Sequence, residues 1–451
     1  MKDYKDEIIA GVERHASELK SLSEEIWGYA ELPLEETRSA DALKRYLEEH
    51  GFSIRSGLAE MGTAFEAVWG TGAPHLGFLG EYDALPEMSQ KAQAERAPVS
   101  QGAPGHACGH NLLGVGLAGS AVVLKELMER DGLSGTLHFY GCPAEEIMVG
   151  KIRMDDAGVF SGLDACLAWH PMASNTVCDY AYSAMTSLQF NFTGKSAHAA
   201  AAPEQGRSAL DAVELMNVGA NYLREHVVSQ ARIHYVITNG GGRPNVVPAT
   251  AQSWYYVRAP LRSQVDEIVD RLLDVGRGAA LMTGTQFGYE ILSGCQNTKL
   301  NKTLNELAYD SMERIPRPAW SGDELDLAKR IQESFSQEVR RNALTEFSVP
   351  ELDGQVMHTG VTPLKPYPAY LAGSTDVSNV SQRVPTVQVF TACMPVGTPG
   401  HTWQITACSG GSIGQKGMYY AAQVIADVAL RLVQDEQLLR RAQAEFAQNQ
   451  S

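Results

Sequence analysis

Hydrophobic positions follow two different periods along the chain, and the change of period predicts its secondary structure. Residues 3–51 show near-helical spacing, as at Ile8, Val12 and Leu19, and are predicted to form two helices, the second ending at Gly51. After them, short apolar runs typical of buried strands alternate with helical patterns, which predicts an α/β domain with helices on both faces of its sheet. The predicted strands lie at 75–80, 136–141 and 165–169, and a buried helix lies at 112–128.

The pattern changes in residues 184–295. There the predicted order is strand, helix, two strands, helix and strand, the βαββαβ order of a ferredoxin-like unit. We therefore predict a catalytic domain in two parts, 1–183 and 296–451, with an inserted domain at 184–295 between them. In the second part, helices are predicted at 300–315, 322–341 and 417–434, and a strand at 386–392.

Length, charge and cysteine content narrow the class of protein. A chain of 451 residues is too long for one comfortable core and favours two domains. Acidic residues outnumber basic ones by 53 to 37, and the formal charge of −16 argues against binding to nucleic acid or to anionic membranes. The charged N-terminus leads into a helix without an apolar secretory core, and no apolar run is long enough to span a membrane. With seven scattered cysteines, this predicts a soluble, reduced, cytoplasmic protein.

The first cluster of side chains that could take part in chemistry is His-Ala-Cys-Gly-His at 106–110, directly before the predicted buried helix. Thiolate and imidazole are good ligands for zinc and similar divalent metals. Cys108 and His110 are two residues apart, so an extended backbone would direct both side chains the same way. The alternative is a small buried cysteine beside two capping histidines.

Three further segments lie where predicted strands end or where a loop presents one histidine. Pro-Ala-Glu-Glu at 143–146 offers Glu145 and Glu146, which an extended chain would direct to different sides. His170 follows another predicted strand, and His401 lies in a Gly/Pro-shaped loop. Taken singly, these residues are more often a solvated acidic turn, a structural histidine and a surface histidine than parts of a metal site.

In combination they offer one thiol, three imidazoles and one carboxylate as ligands, plus one spare glutamate. Metal hydrolases need this set, because the metal must keep an open position and the attacking water needs a base. A structural zinc site would instead favour paired cysteines at short spacing. The sequence therefore predicts a hydrolytic metal centre.

These segments together resemble the co-catalytic metallopeptidase family that includes aminoacylase, and within it the amidohydrolase branch of hippurate and auxin-conjugate hydrolases. That branch carries the runs found at 106–110 and 143–146, a later His-Pro pair as at 170–171, and a C-terminal histidine as at His401. The insert is similar as well, at 194–200 and 241–248. The resemblance covers essentially the whole chain.

Two departures from the hippurate-type pattern indicate a sub-branch. Asn111 follows His110 where those enzymes usually have Asp, and Glu81-Tyr82-Asp83 stands where many relatives have Asp-Met-Asp. With the tail at 397–404, they most resemble the B-type subunits of p-aminobenzoyl-glutamate hydrolases and dipeptidase-like relatives.

The resemblance implies a zinc-peptidase-like catalytic domain with two divalent metal ions, Mn²⁺ or Zn²⁺. Glu145 would be the general base and Asp83 a supporting residue. The implied ligands are Cys108, His110, Glu146, His170 and His401.

The resemblance also implies that the insert forms a homodimer contact and supplies His198 to the active site of the partner. Asn245 and Arg258 match substrate-contacting positions; the alternatives are a turn Asn and an exposed strand Arg. A second, different subunit is a further expected partner.

The predicted function is hydrolysis of the amide bond of an N-acyl or N-aroyl amino acid, with p-aminobenzoyl-glutamate as first substrate. A dipeptidase or another N-acyl-amino-acid amidohydrolase is the alternative within the class. A non-catalytic metabolite-binding relative is a third interpretation, but a binding protein has no need of the base Glu145.

Overall fold

The computed structural model describes residues 2–365 and 369–448. The chain forms two compact units. The first comprises Met1–Tyr180, Lys299–Ala369 and Asn379–Ser451, and the second comprises Ala181–Thr298 and Tyr370–Ser378. The segment Tyr370–Ser378, which the sequence-based division assigned to the catalytic domain, thus belongs to the same unit as the insert.

The elements are numbered in chain order. The strands are β1 Ser53–Ser56, β2 Phe65–Thr71, β3 His75–Glu81, β4 Gly135–Cys142, β5 Ala165–Met172, β6 Thr176–Val177, β7 Tyr180–Tyr182, β8 Ala184–Thr193, β9 Arg232–Asn239, β10 Thr250–Ala259, β11 Gln286–Cys295, β12 Ala369–Leu371 and β13 Thr386–Ala392. The helices are α1 Lys5–Tyr29, α2 Thr37–Glu49, α3 His110–Asp131, α4 Gly150–Asp156, α5 Ala209–Leu223, α6 Arg262–Thr283, α7 Lys302–Arg314, α8 Gly322–Glu333, α9 Gln337–Glu346, α10 Val377–Ser381, α11 Trp403–Ser409, α12 Ser412–Gln434 and α13 Glu436–Gln448.

The first unit is built on a seven-stranded sheet in the order β1-β2-β4-β3-β5-β13-β6. Its four central strands, from β4 to β13, are parallel, and the outer pairs are antiparallel. Because parallel strands end at one edge of a sheet, Glu81, Cys142 and Met172 close their strands on the same side. The candidate residues follow or occupy these ends. Strands β1 and β2 are the two outermost strands on one side of the sheet, and the hydrophobic pattern did not predict them.

Helix α3 is the central helix of this unit and packs against β3, β5, α1 and α12. It has the length and mean hydropathy of a membrane-spanning segment, but 89% of its most apolar window is buried inside the protein. A core helix of a globular domain has the same composition. Gly114 allows its close approach to the sheet, since a Cβ at this position would lie 2.6 Å from the carbonyl oxygen of Glu81.

The second unit has a four-stranded sheet in the order β11-β8-β10-β9, and every neighbouring pair is antiparallel. Its long central pair runs from Ala184 opposite Ala259 to Thr193 opposite Thr250. Helices α5 and α6 pack on the sheet around a separate apolar core. The predicted βαββαβ order and its ferredoxin-like arrangement are confirmed.

The single helix predicted at 322–341 is wrong, because the chain forms α8 and α9 instead. The side chain of Ser336 accepts a hydrogen bond from the Val339 amide and caps the start of α9. A serine that satisfies an otherwise unpaired amide at a helix start favours a new helix over continuation of the old one.

Replacing Gly114 by Ala tests the packing of α3 on the end of β3. We expect a loss of about 1–3 kcal/mol in the free energy of unfolding, because the added methyl meets backbone that cannot move aside cheaply. Gly28→Ala on α1 is the matched control: nothing lies within 4 Å of its added Cβ, so the usual gain of about 0.5–1 kcal/mol for Ala over Gly in a helix is expected. Urea unfolding measures both, and equal effects would contradict the close approach.

Candidate metal centre

Cys108 and His110 are brought into the centre by a turn rather than by extended chain. Gly109 has a φ of 80°, and His110 is already the first residue of α3, so the expected extended geometry is wrong. A Cβ on Gly109 would lie 3.1 Å from the Pro171 ring, which explains the glycine between the two candidate ligands. The turn places Cys108 Sγ 3.2 Å from His170 Nε2.

His110 is held by a buried carboxylate. Its Nδ1 lies 2.8 Å from Asp83 Oδ1, while Oδ2 of the same Asp accepts the backbone N–H of Glu146. With the proton on Nδ1, the lone pair of Nε2 is available. This buried nitrogen finds no hydrogen-bond partner within the described chain and lies 3.4 Å from Glu81 Oε2. A histidine fixed through its other nitrogen by a carboxylate is the usual form of a metal ligand.

The two glutamates lie on a tight turn and not on the extended segment that the sequence indicated. Ala144 has a φ of 56°, and a Cβ on Gly150 would lie 1.7 Å from the Pro143 carbonyl oxygen. Burial raises the pKa of Glu146 to about 7. Its Oε1 is buried without a hydrogen-bond partner in the described chain, and its Oε2 lies 3.4 Å from His401 Nε2.

His170 lies within β5 rather than after it. Its Nδ1 donates to the Pro171 carbonyl oxygen, which leaves Nε2 directed at Cys108. Burial lowers the pKa of His170 to about 4, so the ring is neutral and able to coordinate a metal. His401 is more exposed and has a φ of 55° in its loop.

These donors form two overlapping groups. In each group the donor atoms lie within 4.8 Å of one another, and Cys108 belongs to both. These residues would hold two divalent ions, and the buried atoms of His110 and Glu146 without hydrogen-bond partners would be available to them. The groups are Cys108 with His110 and His170, and Cys108 with Glu146 and His401.

Asn111 explains one departure of the sequence from the hippurate-type pattern. Its amide nitrogen donates to the carbonyl oxygens of Ser23 and Ser409, which ties the start of α3 to two other segments. An ionised aspartate has no donor for these two carbonyls.

Sequence reasoning missed a buried ion pair beside the centre. Lys151 is fully buried, and its Nζ lies 2.7 Å from Glu81 Oε1. Donor atoms of Glu81, His110 and Glu145 lie within 4.8 Å of one another, so this pair adjoins both the candidate base Glu145 and the candidate ligand His110. The departure from the relatives' pattern at Glu81-Tyr82-Asp83 could have drawn attention to Glu81. No local sequence pattern indicates that Lys151 is buried.

Glu36 is a second residue without a local signal. It is fully buried, and its Oε1 accepts the backbone N–H groups of Leu34 and Ala144, both at 2.9 Å. Burial, and then the nearby Asp83 carboxylate, raises the pKa of Glu36 to about 7. This carboxyl group holds Ala144, the left-handed residue before Glu145, and thereby shapes the turn that carries Glu145.

The remaining predicted site residues belong to the second unit. His198 Nδ1 accepts the backbone N–H groups of Ala200 and Ala201, so in the neutral ring the proton is on Nε2. His198 also forms a β-bridge to Val246, and the Ala199 amide donates to the Asn245 carbonyl oxygen. His198 and Asn245 are thus neighbours, and both are exposed.

Arg258 is not the exposed strand residue of the alternative interpretation. It is half-buried on β10, and its Nη1 donates to Ser374 Oγ at 2.8 Å. Ser374 itself donates to the Ser183 carbonyl oxygen, so the guanidinium is held in place within this unit.

The pair of Lys151 and Glu81 provides a stability test. We expect Lys151→Met to lower the free energy of unfolding by about 3–5 kcal/mol, because it leaves a buried carboxylate without its cation. Lys151→Met with Glu81→Gln removes both charges and should recover part of this loss. The matched control is Lys20→Met, which breaks the exposed pair with Glu24 and should cost less than about 1 kcal/mol. Urea unfolding measures all of these, with Glu81→Gln alone as the second single variant. A loss in the double variant equal to the sum of the two single losses would show that the two charges are not coupled.

Comparison with known proteins gives a consistent result. A model of peptidase family M20/M25/M40 matches residues 77–425. The chain is 39% identical over 449 residues to the B-type subunit of p-aminobenzoyl-glutamate hydrolase from Escherichia coli K12, covering 97% of this chain and 93% of that protein. It is 30% identical over 453 residues to Xaa-Arg dipeptidase of Mus musculus, covering 96% and 90%. A dinuclear metal binding peptidase of the M20 family from Bacillus subtilis has the same fold, with a TM-score of 0.61 at 17% identity over 94% of this chain and 99% of that one.

The family match and the two related enzymes confirm the predicted fold class and the prediction of a metal-dependent amidohydrolase. The resemblance to the B-type subunit of p-aminobenzoyl-glutamate hydrolase is confirmed as well. The chain belongs to the peptidase family M20/M25/M40.

Proposed function

We propose that this enzyme hydrolyses the amide bond of an N-acyl or N-aroyl amino acid, with p-aminobenzoyl-glutamate as its first substrate. The observation that carries the proposal is the pair of donor groups that share Cys108 and lie beside Glu145. The substrate follows from the relative that is 39% identical over nearly the whole chain.

Five residues would hold the metal ions. Bound divalent ions would supply the Lewis acidity that activates water and polarises the amide carbonyl. The thiolate of Cys108 favours Zn²⁺, whereas carboxylate and imidazole donors also suit Mn²⁺, so both metals belong in the test. The proposed ligands are Cys108, His110, Glu146, His170 and His401.

Glu145 is the proposed general base. It lies on the turn shaped by Glu36, with a carboxylate oxygen within 4.8 Å of donor atoms of His110 and Glu81. It would take the proton of the attacking water and return it to the leaving amine, since one carboxylate can serve both steps. Asp83 has a positioning role, because it orients His110 and the Glu146 backbone together.

His198 is the proposed donor to the oxyanion that develops on the substrate carbonyl. Its Nδ1 is engaged by two backbone amides, so Nε2–H is the donor that it presents. Asn245 and Arg258 are proposed to contact the substrate. Both hydrogen bonds of Arg258 involve Nη1, and a guanidinium has further donors for a substrate carboxylate.

We also propose that the second unit forms a homodimer contact through which His198 reaches the partner's site. Its two edge strands, β9 and β11, carry exposed apolar side chains, and such edges pair readily with another chain. A different second subunit is the alternative partner, since the bacterial relative is one of two different subunits of its hydrolase. The exposed edge residues include Val236, Ile237, Tyr289 and Ile291.

A dipeptidase is the second candidate function, because Xaa-Arg dipeptidase is 30% identical over 96% of the chain. Assays with p-aminobenzoyl-glutamate, N-acyl amino acids and dipeptides, each with Mn²⁺ or Zn²⁺, separate the two. A preference for dipeptides would overturn the proposal that p-aminobenzoyl-glutamate is the first substrate. If the metal-loaded protein hydrolyses none of these compounds, the interpretation as a non-catalytic binding protein is favoured.

Glu145→Gln tests the base. We expect it to retain both metals and the fold but to lose about 10²–10⁴-fold in kcat, the usual contribution of general acid–base catalysis. Glu214→Gln, an exposed change of the same kind on α5, is the control and should have normal kcat. Metal content, circular dichroism and kcat are measured on the same preparations. Near-normal turnover by a metal-replete Glu145→Gln enzyme would exclude the proposed role.

Subunit mixing tests His198. His198→Ala should lose about 10²–10³-fold in rate, as when a comparable oxyanion donor is removed. If His198 serves the partner's site, mixing it with Glu145→Gln and allowing exchange should restore activity, because each mixed dimer has one site with an intact Glu145 and an intact partner His198. At equal mixing about half the dimers are mixed and each has one working site. No recovery despite exchange, verified by mass-tagged subunits, would place His198 within its own chain or in a structural role.

A further inference from the structure

A second set of metal-binding side chains lies in the first unit and shares no residue with the Cys108 centre. His15 and Glu18 are three residues apart on one face of α1, and His50 directly follows α2. One donor atom from each lies within 4.8 Å of the others. The two imidazole rings are half-buried, whereas Glu18 is 58% exposed.

The hydrogen bonds of His15 determine which of its nitrogens has a lone pair. Its Nε2 lies 2.8 Å from Glu126 Oε1, and the other oxygen of Glu126 accepts from Arg14. A carboxylate paired with an arginine accepts hydrogen bonds at both of its oxygens. Glu126 is therefore an acceptor, the proton of a neutral His15 is on Nε2, and the lone pair of Nδ1 faces Glu18 Oε2 at 3.2 Å.

His50 is fixed in the opposite way. Its Nδ1 lies 2.7 Å from the Tyr46 carbonyl oxygen, which can only accept, so Nδ1 donates. In the neutral ring, Nε2 then has the lone pair, and it lies 3.4 Å from the same Oε2 of Glu18. Two imidazole lone pairs and a carboxylate oxygen thus face one another and repel. Only a bound cation or protonation of the rings removes this repulsion.

The distances fit a metal ion. With zinc bonds of about 2.0–2.1 Å, a tetrahedral site has ligand atoms about 3.3 Å apart. The separations of Glu18 Oε2 from His15 Nδ1 and from His50 Nε2, 3.2 and 3.4 Å, lie on either side of this value. A carboxylate on the outer nitrogen of His15 and a backbone carbonyl on that of His50 are also the partners that metal-bound histidines usually have.

We propose that His15, Glu18 and His50 form a third, non-catalytic metal site that takes Zn²⁺, with water in the fourth position. The site joins α1 to the end of α2, so bound zinc stabilises the first unit. It contains no thiolate, which distinguishes it chemically from the Cys108 centre.

Metal content is the first measurement. The full-length chain is equilibrated with Zn²⁺, freed of excess metal and compared with His15→Ala, His50→Ala and Glu18→Gln by elemental analysis. His226→Ala, which removes an exposed histidine of the second unit, is the matched control. We expect each of the three variants to bind one zinc ion fewer per chain than the parent and the control. Equal zinc content in all five proteins would overturn the proposal.

Cobalt spectra and thermal unfolding separate this site from the catalytic centre. The Co²⁺-loaded parent should lose part of its visible d–d absorption in Glu18→Gln, while thiolate-to-cobalt charge transfer from Cys108 stays unchanged. Added Zn²⁺ should raise the Tm of the parent and the control more than that of the three variants. If Tm instead responds to pH and equally to Zn²⁺ in all of them, protonated histidines form ion pairs here and the proposal fails.

Discussion

The centre of this enzyme depends on one buried carboxylate, Asp83. It lies just beyond β3 and binds two groups at once, the Nδ1 of His110 at the start of α3 and the Glu146 amide after β4. An aspartate inside a protein core is costly unless every lone pair is engaged, and here both oxygens are. A single side chain therefore fixes the relative positions of three segments from separate parts of the sequence.

The surroundings of Asp83 are unusually rich in buried charge. Glu36 and Glu81 lie near it, and Lys151 is buried with them. These buried charges would destabilise the fold if they were unpaired, because the desolvation penalty exceeds the Coulombic gain of most buried ion pairs. Divalent cations bound to the adjoining donor atoms would offset the negative charge of these carboxylates. The arrangement is thus explained by metal binding better than by stability of the fold.

The sequence predicted those parts of the site whose signals are local. Buried strands at β3, β4, β5 and β13 are continuous apolar runs, and Cys108, Glu145 and His401 stand in short distinctive segments. The strands at β1 and β2 were missed because they lie at the outer side of the sheet, where their pattern is weak. Lys151 was missed for a different reason: its burial depends on a partner seventy positions away, and no local pattern encodes that.

The place of β13 in the sheet also determines when the centre can form. Strand β5 pairs in parallel with β13, although the whole second unit lies between them in the chain, and His401 follows β13. During synthesis, Cys108, Glu146 and His170 emerge long before the strand that completes their sheet and the last donor. Closing so long a loop has an entropic cost that slows folding, whereas most of the second unit is one continuous segment with contacts that are closer in sequence. We therefore expect a nascent or truncated chain to present only part of the proposed donor set, including a thiol, and to complete it only after His401 has been synthesised.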